Sequence, residues 1–124
     1  MATTGNASDF GDLTTARSAI EATDDGTYGL FGGSSSTGIN YDNKIEYITI
    51  ASTGNGTDFG DLTVARNRAS ACGDGTYGAF GGGYTGSSSN VIDRVTVATT
   101  GNASDFGDLT VAGSAPAAVS GNAS

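Results

Sequence analysis

The sequence predicts an all-β protein assembled from repeated units of four short antiparallel strands, and three observations carry that prediction. Nearly the same line occurs three times in 124 residues: Thr4-Gly-Asn-Ala-Ser-Asp-Phe-Gly-Asp-Leu-Thr14, then residues 53 to 63, then residues 100 to 110. The matched aspartates Asp9, Asp58 and Asp105 are 49 and 47 residues apart, which falls within the period of sheet-based repeat arrays, about 40 to 50 residues. The composition, with 21 Gly, one Pro, no Trp and abundant Thr, Ser, Val and Ile, favours short strands and turns over helices. Two runs, Ile45-Glu-Tyr-Ile-Thr-Ile50 and Ile92-Asp-Arg-Val-Thr-Val97, alternate β-branched and polar residues with the two-residue period of a strand that has one wetter face.

The elements follow in the same order in each unit. The Gly-Asn-x-x-Asp-Phe-Gly-Asp-Leu line reads as a turn followed by a short edge strand. Thr-x-Ala-Arg, ending at Arg17 and Arg66, then leads into small-residue strands over residues 18–22 and 67–72. Thr27-Tyr-Gly-Leu-Phe-Gly-Gly33 and Thr76-Tyr-Gly-Ala-Phe-Gly-Gly82 align without a gap as apolar strands closing on glycine doublets. The Ser/Gly-rich stretches 34–43 and 83–90 differ in length, as exposed loops do. The alternating runs close each unit. This gives an outer-strand piece at 1–14, a first unit at 15–63, a second at 64–110, and a partial unit or tail at 111–124. The expected core is Leu30, Phe31, Phe80, Ile48, Ile50, Val95, Val97, Phe10, Phe59 and Phe106.

Four antiparallel strands in a unit of this length make a propeller blade. The order of an arginine before a small-residue strand, an apolar strand ending in a glycine doublet, a β-branched strand and an outer strand resembles the kelch type. Phe59 and Phe106 stand where the kelch outer strand carries tryptophan. A closed propeller takes about four to eight blades, whereas this chain holds about two and a half repeats, so the expected ring is completed by oligomerisation. A homo-oligomer is expected, with a trimer preferred because three chains of two blades close a ring of about six. The N-terminal outer strand is expected to act as a clasp on a neighbour.

The lines Gly-Asn-Ala-Ser-Asp-Phe-Gly-Asp-Leu-Thr, Tyr-Gly-x-Phe-Gly-Gly and Ile-x-Tyr-Ile-Thr-Ile are also similar to repeat arrays in proteins of tailed bacteriophages, particularly those of marine and cyanobacterial hosts. That resemblance implies a virion or tail-fibre component, made in the host cytoplasm.

Thirteen acidic against five basic residues give a net charge of −8, which repels phosphate backbones and anionic lipid surfaces; neither nucleic acid nor membrane is an expected partner. No apolar stretch approaches the ~20 residues of a membrane span, and the N-terminus lacks the basic start and apolar core of a signal peptide. The single cysteine, Cys72, among small apolar neighbours, reads as an inert half-buried thiol.

Candidate sites are few. Asp-Phe-Gly at Asp9, Asp58 and Asp105 matches a kinase metal-binding triplet in letters alone, without the phosphate-cradling loop or catalytic loop that kinase chemistry requires. Asp9, Asp12, Asp58, Asp61, Asp105 and Asp108, with Asn6, Asn55 and Asn102, offer oxygen atoms around glycine turns, as calcium loops do, but lack the closer acidic alternation and bidentate glutamate. The preferred reading is that these side chains cap the turns, with Asp12 pairing with Arg17 and Asp61 with Arg66. The Asn-x-Ser/Thr triplets at Asn6, Asn55, Asn102 and Asn122 read as turn chemistry. There is no histidine, and the acidic residues recur with the repeat as structural positions do, so neither catalytic residues nor a cofactor is expected. Tyr41 and Tyr84, outside the repeat pattern and set among Ser, Gly and Asn, are the candidate ligand-binding residues, a surface for sugar stacking. The expected function is structural and non-enzymatic; the alternative is a lectin-like adhesion module that binds a host surface glycan.

Overall fold

The structure, a computed structural model, describes residues 4–36, 38–114 and 116–118; the rest of the C-terminal tail, with Asn122, lies outside the described residues. It is all-β, with two antiparallel sheets that do not close on themselves. The first sheet contains β1 (Arg17–Ser18), β2 (Glu21–Asp24), β3 (Tyr28–Ser36), β4 (Ile39–Thr49) and β5 (Thr57–Arg66). The second contains β6 (Ser70–Gly73), β7 (Tyr77–Gly81), β8 (Val91–Thr96) and β9 (Ser104–Asp108) in sequential order.

The first sheet has one strand more than the four expected. β1 and β2 both pair with β3, β2 along Gly29–Gly32 and β1 at Ser35–Ser36. The break between them is Ala19, held at φ 54°, and the matched residue of the second unit, Arg68, has the same φ. A non-glycine residue in the left-handed region is a local strain, and its recurrence in both units marks it as part of the repeat. The small-residue strands therefore begin at Glu21 and Ser70, later than the sequence suggests.

The stretch 34–43, expected as a loop, is largely a hairpin extension: Ser34 pairs with Asp42 and Ser36 with Ile39. Serine in a pleated strand is satisfied through its backbone ladder, so a Ser-rich composition does not by itself break the strand. The shorter stretch 83–90 is a loop carrying only isolated bridges from Tyr84 to Asn67 and Ser88.

The two sheets pack face to face. A Cβ on Gly32 would stand 2.9 Å from the Phe80 ring, and one on Gly78 would stand 2.7 Å from Thr23 Cγ2, so each glycine provides room for the opposing sheet. The core lies in this one interface and is built from Leu30, Ile45, Phe59, Leu62, Phe80, Val95 and Val97. Tyr47 bridges Tyr28 and Phe59 by edge contacts with ring centroids 5.8 and 5.9 Å apart.

Half of the expected core lies elsewhere. Phe10, Phe31 and Ile48 are half-buried and line a shared groove on the back of the first sheet. Ile50 and Phe106 are 42% and 61% exposed. The cause is geometric: two sheets make one interface, which leaves one apolar face of each without a cover. Ile45 and Leu62, unexpected in the core, are buried: Ile45 stands opposite Gly32 of β3 on the face that meets Phe80, and Leu62 belongs to the same cluster.

Candidate functional site

The strongest polar chemistry in the chain is a repeated clasp that the sequence hides. Between the sheets, Arg66 Nη2 of β5 lies 3.1 Å from Asp93 Oδ2 of β8, both side chains closed to solvent, and also donates to the carbonyl of Phe80 at 3.0 Å. Thr63 completes the arrangement, its N–H donating to Asp93 Oδ2 at 3.0 Å and its hydroxyl to Oδ1 at 2.5 Å. The first sheet repeats it. Arg17 pairs with Glu46 at 3.5 Å and with Asp42 at 3.7 Å, while the Thr14 hydroxyl and N–H both donate to Glu46 Oε1.

The expected pairs Asp12–Arg17 and Asp61–Arg66 are therefore incorrect: each arginine turns inward to an acid on the β-branched strand. Glu46 shares a strand face with Ile48 and Asp93 with Val95 and Val97, and both acids are fully buried, whereas Asp12 and Asp61 on the turns stay exposed. Burial pushes the Arg66 guanidinium below its ordinary pKa, and the charge and hydrogen bond of Asp93 draw it back up. The signal available in the sequence was the repeat alignment of Thr14, Arg17 and Glu46 with Thr63, Arg66 and Asp93, where an acid recurs at one strand position.

The turn aspartates cap their own loops: Asp9 accepts from the Gly11 N–H and Asp105 from the Gly107 N–H, both at 3.1 Å. Their neighbours join successive repeats. The Asp12 N–H donates to Asn55 Oδ1 at 3.0 Å and the Asp61 N–H to Asn102 Oδ1 at 3.1 Å, so these two asparagines cap the preceding repeat and not their own turn. Gly54 and Gly56 donate to the carbonyls of Phe10 and Asp12, and Gly101 and Ala103 repeat this on Phe59 and Asp61. The six aspartates considered for calcium are all exposed. Among the described residues, no three Asp, Glu or Cys side chains gather to hold a metal ion.

Tyr41 and Tyr84, 43 residues apart in sequence, are brought together, their rings tilted by 58° with centroids 5.9 Å apart. Tyr41 stands on β4, at the hairpin extension, and Tyr84 in the loop after β7. Asn67 locks the two units beneath them: its Nδ2 donates to Ser35 Oγ at 2.7 Å and to the Asn40 carbonyl at 3.0 Å, while its backbone exchanges two hydrogen bonds with Tyr84. Both tyrosines are half-buried, at a seam between the sheets. Cys72 is half-buried, and Arg94 stacks over Tyr77 and Phe106 on the outer face of the second sheet at 4.6 and 5.3 Å.

No protein-family model matches this chain, and no curated protein matches it.

Proposed function

We propose that this chain is a non-enzymatic structural component of a phage virion or tail fibre, built from propeller-blade sheets that assemble as a homo-oligomer. The observation that carries this reading is the use of the charged side chains. The buried arginines and acids recur with the repeat, and Arg66 and Thr63 of one sheet hold Asp93 of the other. Groups fixed in buried pairs are consumed by architecture. The resemblance of the Gly-Asn-Ala-Ser-Asp-Phe-Gly-Asp-Leu lines to phage arrays supports the virion. Among the described residues, no helix is long and apolar enough to cross a membrane. Immunogold labelling of phage particles with an antibody to this chain tests the assignment: label on tails or fibres supports it, and particles that contain the chain's gene yet carry no label refute it.

A second reading, a lectin-like module for a host surface glycan, is favoured by the convergence of Tyr41 and Tyr84. Paired aromatic rings beside Ser and Asn groups suit a sugar's apolar face and hydroxyls. A glycan array decides it: binding that disappears in both Tyr41→Ala and Tyr84→Ala supports the reading, and binding unchanged in both rejects it.

A further inference from the structure

The three copies of the repeated line do unequal work. The middle copy, residues 53–66, does two jobs. Through β5 it forms the outer strand of the first sheet, and through Thr63 and Arg66 it clasps Asp93 of the second. The first copy does only the clasping, with Thr14 and Arg17 on Glu46, while its residues 9–13 join neither sheet ladder. The third does only the outer-strand work, through β9, and has Gly113 where an arginine would stand. The first and third copies thus carry complementary halves of the same junction.

The two outer faces complement each other in the same way. The back of the first sheet presents Phe31, Ile48 and Ile50, the repeat counterparts of Phe80, Val95 and Val97, which fill the internal interface. The front of the second sheet presents Tyr77, Ala79, Arg94 and Phe106 around a cavity of about 500 Å³; their counterparts Tyr28, Leu30, Tyr47 and Phe59 line the internal interface. Gly107 is the most telling position. Gly11 and Gly60 adopt φ 150° and 149° with the carbonyl oxygen of the next repeat's glycine 2.2 Å from any added Cβ; Gly107 adopts φ 149° with nothing within 4 Å. The third copy keeps the conformation that receives a further repeat, without that repeat.

We infer that the front of the second sheet seats the back of the first sheet of a second copy of this chain, head to tail, in the geometry of the internal interface. β9 of one chain supplies the outer strand, and Thr14 and Arg17 of the next supply the clasp. The absence of an arginine at Gly113 fits this division: one buried acid takes one guanidinium, and Glu46 of the incoming chain already holds its own Arg17. Gly54 and Gly56 of the incoming chain exchange their bonds on Phe10 and Asp12 for the matched carbonyls of Phe106 and Asp108. Residues 4–12 of the incoming chain leave the position that β9 occupies. Pro116–Ala118, which line a separate cavity with Cys72 and Leu109, give way to residues 20–22. Such a contact is heterologous and forms a ring where its rotation closes and a filament where it does not.

This inference rests on the homo-oligomer of the preceding reading, and light scattering of the whole chain during gel filtration, over rising concentration, separates the two. The wild type is expected at multiples of the 12.2 kDa chain mass. Phe106→Asp and Ile50→Asp change exposed side chains on opposite faces, and Tyr77→Asp is a second front variant; circular dichroism confirms that each is folded. Each alone is expected at single-chain mass, and an equimolar mixture of Phe106→Asp with Ile50→Asp is expected to give a two-chain species, since one intact front meets one intact back. Wild-type assembly unchanged by these variants overturns the head-to-tail geometry and leaves the homo-oligomer standing. A wild type at single-chain mass throughout overturns both.

Discussion

The guanidinium of Arg66 and the carboxylate of Asp93 meet at 3.1 Å with neither side chain open to solvent, and this pair joins the outer strand of the first sheet to the β-branched strand of the second. An ion pair in such a place is costly to form and more costly to break, because each charge has given up its water. Its counterpart, Arg17 with Glu46 at 3.5 Å, is similarly closed.

Removing one partner leaves the other charged and dry. Arg66→Ala is expected to destabilise the fold by about 3–5 kcal/mol, measured by urea unfolding. The double replacement Arg66→Met with Asp93→Leu removes both charges and is expected to recover most of that loss; a double variant as unstable as Arg66→Ala would show that the stability lies in the geometry of the pair and not in the avoidance of an unpaired charge.

Equivalent residues have unequal worth in this array. Phe59 is 4% exposed in the intersheet core and Phe106 is 61% exposed. Phe59→Ala is expected to cost about 3–5 kcal/mol, whereas Phe106→Ala stays within about 0.5 kcal/mol for the isolated chain. Equal losses in chemical denaturation would contradict the burial difference.

Gly60 and Gly107 share φ 149°, but a Cβ falls 2.2 Å from the Gly101 carbonyl oxygen at the first and into open space at the second. Alanine at either position incurs backbone strain. Gly60→Ala adds an overlap that neighbouring backbone cannot relieve cheaply, so it is expected to be worse than Gly107→Ala by about 1–3 kcal/mol. Matching melting temperatures for the two variants would argue against the close repeat-to-repeat approach.

Asp74 caps the turn before β7, accepting from the N–H groups of Tyr77 at 2.8 Å and Thr76 at 2.9 Å. These bonds favour the carboxylate and hold its pKa below the ordinary 3.8. A folded-state pKa below the unfolded one means that the stabilisation is present above the unfolded value and is lost as pH falls through the folded one. Asp74→Asn keeps a side-chain acceptor without the charge. It is expected to lower the melting temperature at neutral pH slightly and to flatten the acid limb of stability against pH; parallel acid limbs for wild type and variant would exclude this contribution.

Much of the fold was legible because the repeat states itself. The all-β character, the edge position of the second and third Asp-Phe-Gly-Asp lines and the pairing of Tyr28–Gly32 with the Ile45 run follow from periodicity and glycine punctuation, whereas the first copy, expected as an outer strand, joins neither ladder over residues 4–13. The extent of the 34–43 hairpin was not legible, since Ser and Gly leave strand and loop nearly equal locally and cross-strand pairing decides between them. The arginine partners were missed for a different reason. Alternation puts Glu46 on the face of Ile48 and Asp93 on that of Val95 and Val97, but which guanidinium reaches each buried acid is decided by how the sheets stack.

Tyr41 and Tyr84 stood out from the sequence as aromatics outside the repeat, but their contact at 5.9 Å depends on the Asn67 lock between the units. Composition and repeat alone determined that the chain forms strands, that its units are alike, and that its net charge is −8. The tertiary structure decided which apolar residues are core, which acid each arginine holds, and which faces remain open. Those outcomes depend on register and on the number of stacked sheets, and neither is written in the local alternation of residues.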